Sequence, residues 1–364
     1  MNQIPFSRQS NCRITDAIRY CGLQTIVLEN EMLRVVVFPE KGGEIYSIQY
    51  KPRDIDPLLH FRSLQTPRPF PATIPLKDGS FTDYYDGGWQ VMFPSGGGPN
   101  AAFGMEIGRH GEAALLSWSW QILRDDPEEV MIRFWAQMVR TPFLYEREMR
   151  LAAGESKFHL TEKITNQGGV PLPFMWGHHP AFGAPFLDGS CVLDVPAGMI
   201  ESIKQEIVES RVPAGTSHAW PMVPDKENQP LDLRSIPANG GHTSDMFFLS
   251  GLEDGWYALT NRQRGLGFAL TWDLDVFPVL WVWQEFGGTK GHPWYANTYA
   301  LGLEPCTHYA LEGANGLEGV IESGEARLLE PGESLSVMLS AVLYETGGAE
   351  GVAHVSRTGK VTLR

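Results

Sequence analysis

Apolar and polar residues alternate with a period of two along most of the chain. Val130, Ile132, Phe134, Ala136 and Met138 share one face of a predicted strand. Phe143, Tyr145, Arg147 and Met149 make a second with a mixed face, and Phe158, Leu160 and Ile164 follow a turn at Ala153-Gly154. Leu335, Val337, Leu339, Ala341 and Leu343 alternate strictly near the C-terminus. Residues 32–38, a turn at 41–43 and residues 45–50 read as a β-hairpin. No long segment carries the i, i+3, i+4 spacing of an amphipathic helix. Strand after strand with so few helices predicts an all-β fold, a large antiparallel β-sandwich.

Three stretches interrupt the alternation. Residues 51–88 carry six prolines and read as a long surface loop. Residues 86–111 are glycine-rich, from Asp86-Gly87-Gly88-Trp89 to His110-Gly111, and residues 211–245 are loop-like again. Aromatic residues continue inside them, so they read as ordered functional loops rather than linkers. The expected organisation is a single β-sandwich domain over residues 1–346, followed by a polar, poorly ordered tail over 347–364.

Composition narrows the function. Glycine (39) and proline (26) far exceed the average of roughly 12% without any period, which suits many strands joined by turns. The net charge of −14 repels phosphate backbones and anionic bilayers, so neither nucleic acid nor membrane is an expected partner. No apolar run approaches the roughly 20 residues of a membrane span, and residues 1–10 lack an apolar signal core. The expected location is cytoplasmic, and Cys12, Cys21, Cys191 and Cys306, without C-x-x-C spacing, read as free thiols. Phosphate-loop, nucleophile-elbow and zincin motifs are missing, which disfavours a nucleotide-dependent enzyme. Open sandwich edges allow a monomer or a homodimer.

Several polar residues sit where strands should end. His178-His179-Pro180 lies between an apolar segment and a Pro/Gly turn, where a scaffold presents side chains to a cleft. Successive strand residues face opposite sides, so only one of the two histidines points into it. Glu304, inside the apolar run 299–305, is a carboxylate that burial would turn into a base near neutral pH. A strand-end carboxylate held by an arginine or by backbone N–H groups is the structural alternative. Asp245 precedes another apolar strand and reads either as a turn cap or as a ligand group. Trp281, Trp283 and Phe286 read as core or as a sugar-stacking wall. Eleven tryptophans tilt the reading towards carbohydrate.

His110-Gly111, His179-Pro180-Ala181-Phe182, Asp245, Trp281-Val282-Trp283-Gln284 and Leu303-Glu304-Pro305 occur in an order that resembles the galactose mutarotase-like superfamily of aldose 1-epimerases. The segment 87–94, Gly-Gly-Trp-Gln-Val-Met-Phe-Pro, resembles its hexose-6-phosphate mutarotase-like branch. The resemblance spans roughly residues 25–345 and implies a large β-sandwich with an open sugar cleft. It implies that Glu304 takes the anomeric hydroxyl proton, that His179 protonates the ring oxygen, and that His110 assists. It implies a substrate-binding set of Asp245, Trp283, Gln284, His178, Arg109 and Trp89. It implies no cofactor and no metal. Asp86 stands where the sugar-phosphate branch tends to carry arginine, which argues for a free hexose, with Arg109 or Arg62 as the substitute cation otherwise. Residues 185–240 and 287–297 have no family counterpart and are expected to shape specificity. Competing readings are a non-catalytic carbohydrate-binding protein on the same fold and a polysaccharide-active enzyme using Asp245, Asp273, Glu285 and Glu304. A weaker one is a metal site from His110, His178 or His179 and Glu304.

Overall fold

The computed structural model describes residues 11–61, 79–309 and 316–364. Residues 1–10 and residues 62–78 of the proline-rich segment, Arg62 among them, lie outside them. The predicted strands form where the alternation placed them. Glu129–Gln137, Phe143–Ala152, Lys157–Asn166 and Ser334–Glu345 are antiparallel neighbours. Leu33–Phe38 pairs with Glu44–Tyr50 as the expected hairpin.

Two large sheets stack face to face, one of 11 strands and one of 8. Their inner faces interdigitate in one hydrophobic cluster. Val35, Ile45, Trp89, Val282 and Leu301 come from the large sheet, and Phe134, Leu160, Phe268 and Leu339 from the small one. Each such side chain contributes about 1.5–3 kcal/mol on burial. The β-sandwich is therefore the observed fold, built as the alternation predicts.

The interrupted stretches are structured. The glycine-rich region supplies the central strand Trp89–Met92 of the large sheet and a hairpin from Asn100–Ala102 and Met105–Ile107. Gly87 precedes that strand at φ +106°, and a Cβ there would overlap the Leu59 carbonyl oxygen. Leu58, Leu59, Phe81 and Tyr85 are buried, so parts of 51–88 cover the sheet, while residues 52–54, His60 and Asp83 stay exposed as the surface-loop reading expects.

The C-terminal reading needs correction. Val352–Val355 and Val361–Leu363 pair as a hairpin instead of a loose polar tail. Its polar residues face solvent, while Val352 and Val355 pack on Trp256, Val342 and Tyr344 of the small sheet.

Candidate functional site

Register builds the site on the outer face of the large sheet. Strands Gly177–Gly183, Tyr299–Cys306, Val279–Phe286 and Thr243–Ser250 run side by side. The pairs Gly177↔Cys306 and Ala181↔Gly302 set His179 across from Glu304. Trp281 pairs with Glu304, Trp283 with Gly302, and Glu285 with Ala300. Side chains at every second position share a face. His179, Glu304, Trp281, Trp283 and Glu285 thus point the same way.

They line a cavity of about 330 Å³. Phe81, Thr82 and Tyr85 wall it on one side, Arg109 and His110 on another, and Ile203 and Ile207 on a third. Thr289, His292 and Trp294 of the loop 287–297 overhang it. That loop is held by aromatic contacts from Trp294 to Trp283 (5.0 Å), Phe61 (5.1 Å) and Tyr85 (5.8 Å). The His292 Nε2 of this loop lies 3.2 Å from Asp83 Oδ1.

His179 Nε2 is 3.4 Å from Glu304 Oε1, with both residues buried. Burial disfavours charge on each. It raises the Glu304 carboxyl well above the usual carboxylate range, opposed by the Arg109 charge. It lowers the His179 imidazole to about 4, with Arg109 acting in the same direction. His110 packs edge-on against His179, with ring centroids 5.2 Å apart, and burial holds it neutral as well. Its backbone is left-handed at φ +59°, a conformation that costs a non-glycine residue energy and turns its ring into the cavity.

Four expected site residues lie elsewhere or are otherwise engaged. His178 faces the inter-sheet core by the same alternation that exposes His179. Its Nε2 is 3.0 Å from Glu162, and it accepts a 3.0 Å bond at Nδ1 from the Trp89 indole N–H. Trp89 is fully buried with it. Gln284 is on the core face beside Leu301, where its Oε1 accepts from Arg211 at 2.5 Å. Asp245 pairs with Gln284 and borders the cavity, but its carboxylate is taken. Ser210 Oγ (2.8 Å), Arg211 N (2.7 Å) and Arg211 Nε (2.7 Å) all donate to it. It therefore anchors the segment 210–212 at the edge of the cavity.

Asp86 is likewise withdrawn from the cavity. It is buried and ion-paired with Lys41, which also lies 2.5 Å from Glu44. Burial pushes Glu44 up to about 7 despite that lysine.

Sequence reasoning missed Phe81, Tyr85, Thr289 and Trp294 as cavity residues and had placed Glu285 only among glycosidase carboxylates. Parity with Trp283 on one strand was a readable signal for Glu285. The others arrive on loops, for which the pattern carries no direction. Tyr85 is the most distinctive, because its hydroxyl is buried without a hydrogen-bond partner. Burial and the nearby Glu304 raise its pKa, so it stays a phenol.

Among known proteins, no family model matches the chain. The plasmid-borne and chromosomal forms of Protein LacX from Lactococcus lactis subsp. lactis are each 27% identical over 272 residues. That covers 71% of this chain and 83% of theirs. A Klebsiella pneumoniae protein provisionally assigned as an aldose 1-epimerase superposes with a TM-score of 0.70 at 17% identity. The match covers 92% of this chain and 83% of that one. A galactose mutarotase-like protein from Clostridium acetobutylicum gives 0.64 at 14% identity, covering 92% and 99%. The chain has the galactose mutarotase-like fold.

Proposed function

We propose that the protein is an aldose 1-epimerase acting on a free hexose. The observation that carries this is the buried Glu304–His179 pair, 3.4 Å apart at the floor of a tryptophan-walled cavity. The cavity volume is within the usual range for small-molecule sites. Its aromatic faces suit the C–H faces of a pyranose ring.

The pair holds one proton between two groups. With the proton on His179, Glu304 is ionised and accepts the proton of the anomeric hydroxyl. His179 delivers its own to the ring oxygen, the C1–O5 bond breaks, and an open-chain aldehyde forms. Rotation about C1–C2 and the reverse transfers close the other anomer. Before and after ring opening the pair carries the same net charge. No step therefore charges the buried site, where a lone charge is expensive. Arg109 and His110 flank the ring oxygen side, and Trp283 supplies the stacking floor.

This sharing sets the pH dependence. Protonation of His179 with Glu304 still protonated ends the one-proton state near pH 4. Loss of that proton ends it above the raised Glu304 value. Activity is expected to be flat across neutral pH, with an acid limb near 4 and an alkaline limb far above ordinary carboxylates. A kcat/KM profile checks it; an acid limb at 6–7, as for an unperturbed histidine, contradicts it.

Gly302 provides a steric test. A Cβ there would lie 2.6 Å from Glu304 Oε1 and 3.1 Å from the Trp283 ring. Gly302→Ala is expected to displace the carboxylate and cost about 10²-fold in anomer exchange. Circular dichroism should leave the fold unchanged.

A second reading has one observation in its favour. Glu285 shares the cavity with Glu304, and Thr289 donates to both of its oxygens. Two carboxyl groups flanking one bond are what glycoside hydrolysis requires. Release of new reducing ends from oligosaccharides would support hydrolysis. Anomer exchange without such release supports the epimerase.

A further inference from the structure

The cavity floor is laid out in rungs. One carries Glu304 and Trp281, the next Gly302, Trp283 and Met246, and the third Ala300, Glu285 and Ser244. The Glu304 carboxylate leans over the second rung, as its closeness to Gly302 requires. Glu285 stands one rung further, about 7 Å along the strand. A single pyranose with hydrogen bonds at both ends bridges such a step. Trp283, half-buried between them, offers the ring its flat support.

Glu285 is closed to bulk solvent yet lines the cavity. The Thr289 N–H donates to Oε1 at 3.0 Å, and the Thr289 hydroxyl donates to Oε2 at 2.5 Å. Ser244 Oγ lies 3.3 Å from that hydroxyl. A carboxylate oxygen accepts two hydrogen bonds, so each retains acceptor capacity beyond Thr289. Asp245, the carboxylate that the resemblance assigned to sugar hydroxyls, accepts from Ser210 and the Arg211 N–H on Oδ1 and from the Arg211 guanidinium on Oδ2.

We propose that Glu285, oriented by Thr289 and Ser244, is the specificity-determining carboxylate: it accepts hydrogen bonds from hydroxyls at the end of the hexose remote from the anomeric carbon and rejects a phosphate there. The inference rests on the Glu304–His179 reading for the direction of the ring. A hydroxyl donating to a carboxylate makes a strong, charge-assisted bond. A phosphate brought to the same place meets a like charge in a partly desolvated cavity. Arg109, the cation lining the cavity, enters from the His110 side.

The test compares wild type, Glu285→Gln and Glu285→Asp on glucose, galactose, their 4-deoxy and 6-deoxy analogues, and glucose 6-phosphate. Binding is read by tryptophan fluorescence and turnover by anomer exchange. Glu285→Gln should raise Kd and KM for the preferred hexose roughly 10–100-fold, with the loss falling mainly on KM. The penalty should vanish for the deoxy analogue that lacks the hydroxyl Glu285 reads. Discrimination against the 6-phosphate should relax in Glu285→Gln and persist in Glu285→Asp, which keeps the charge but shortens the reach. An equal penalty on the parent sugar and every deoxy analogue would overturn the proposal, because Glu285 would then only anchor the loop. Tighter wild-type binding of the 6-phosphate than of free hexose would also overturn it. The expected binding pattern without anomer exchange would uphold the specificity role while refuting the epimerase reading.

Discussion

Replacing Glu304 by Gln is expected to cut anomer exchange by roughly 10²–10⁴-fold while the fold survives. The amide matches the carboxyl in shape but cannot take a proton from an anomeric hydroxyl, and His179 loses the carboxyl 3.4 Å from its Nε2. Stability works in the opposite direction. The folded Glu304 pKa lies above its usual value, so folding favours the protonated form. That contribution is full below the ordinary carboxylate pKa and is lost as pH rises towards the folded value. A permanently neutral Gln escapes the loss, so the variant should melt at or above the wild-type temperature at neutral pH. Lost exchange with an unchanged or higher Tm separates chemistry from unfolding. A lower Tm with proportionate loss of activity would mean that Glu304 is structural.

Arg147→Ala is expected to be the most destabilising of the substitutions considered, by about 3–5 kcal/mol. Arg147 lies on the buried face of its strand, among apolar neighbours, because the small sheet carries Glu162 opposite it. Arg147 Nε is 2.5 Å from Glu162 Oε1, and one guanidinium N–H reaches the Gly43 carbonyl at 2.6 Å. Tyr145 donates to Glu162 at 2.5 Å, and the Trp176 indole donates to Tyr145 at 2.9 Å. Burial alone would raise the Glu162 pKa. His178 and Arg147 overcome it and hold the carboxyl down to about 2. Its folded pKa is thus depressed. The stability it contributes is present above the usual value of 4.5 and is lost as pH falls from there towards 2. Removing Arg147 leaves a buried carboxylate with only His178 and Tyr145. The wild type should lose stability steeply below pH 4.5, and Arg147→Ala should show a shallower slope from a lower start. Urea midpoints at pH 7 and pH 3.5 measure both. Equal midpoints for the two proteins at pH 7 would show that the buried pair contributes nothing.

Most of the sandwich was legible because its strands obey a period of two. Val130 to Ala136 and Val337 to Leu343 are buried on the face the alternation names. Arg147 looked like a flaw in that pattern and is its informative exception, explained by a carboxylate on the neighbouring strand. The same parity distinguishes His179 from its neighbour His178. Applied one strand further, it also forbids Trp283 and Gln284 from sharing a cavity, and the resemblance-based site set overlooked this. Asp245 borders the cavity, but its hold on another segment was hidden. Its partners, Ser210 and Arg211, come from a loop 34–35 residues away, and no local pattern signals that contact. Tyr85 and Trp294 were hidden likewise, since loops meet over the site through tertiary packing. The tail misled because only three valines, Val352, Val355 and Val361, carry its packing.

The most direct test of the central claim is NMR saturation exchange between α and β anomers across aldoses and sugar phosphates, with Glu304→Gln as control. The account predicts acceleration for at least one free hexose, abolished in the variant and weaker for the 6-phosphate. Unaccelerated exchange across the whole panel, or acceleration that persists in Glu304→Gln, would contradict it.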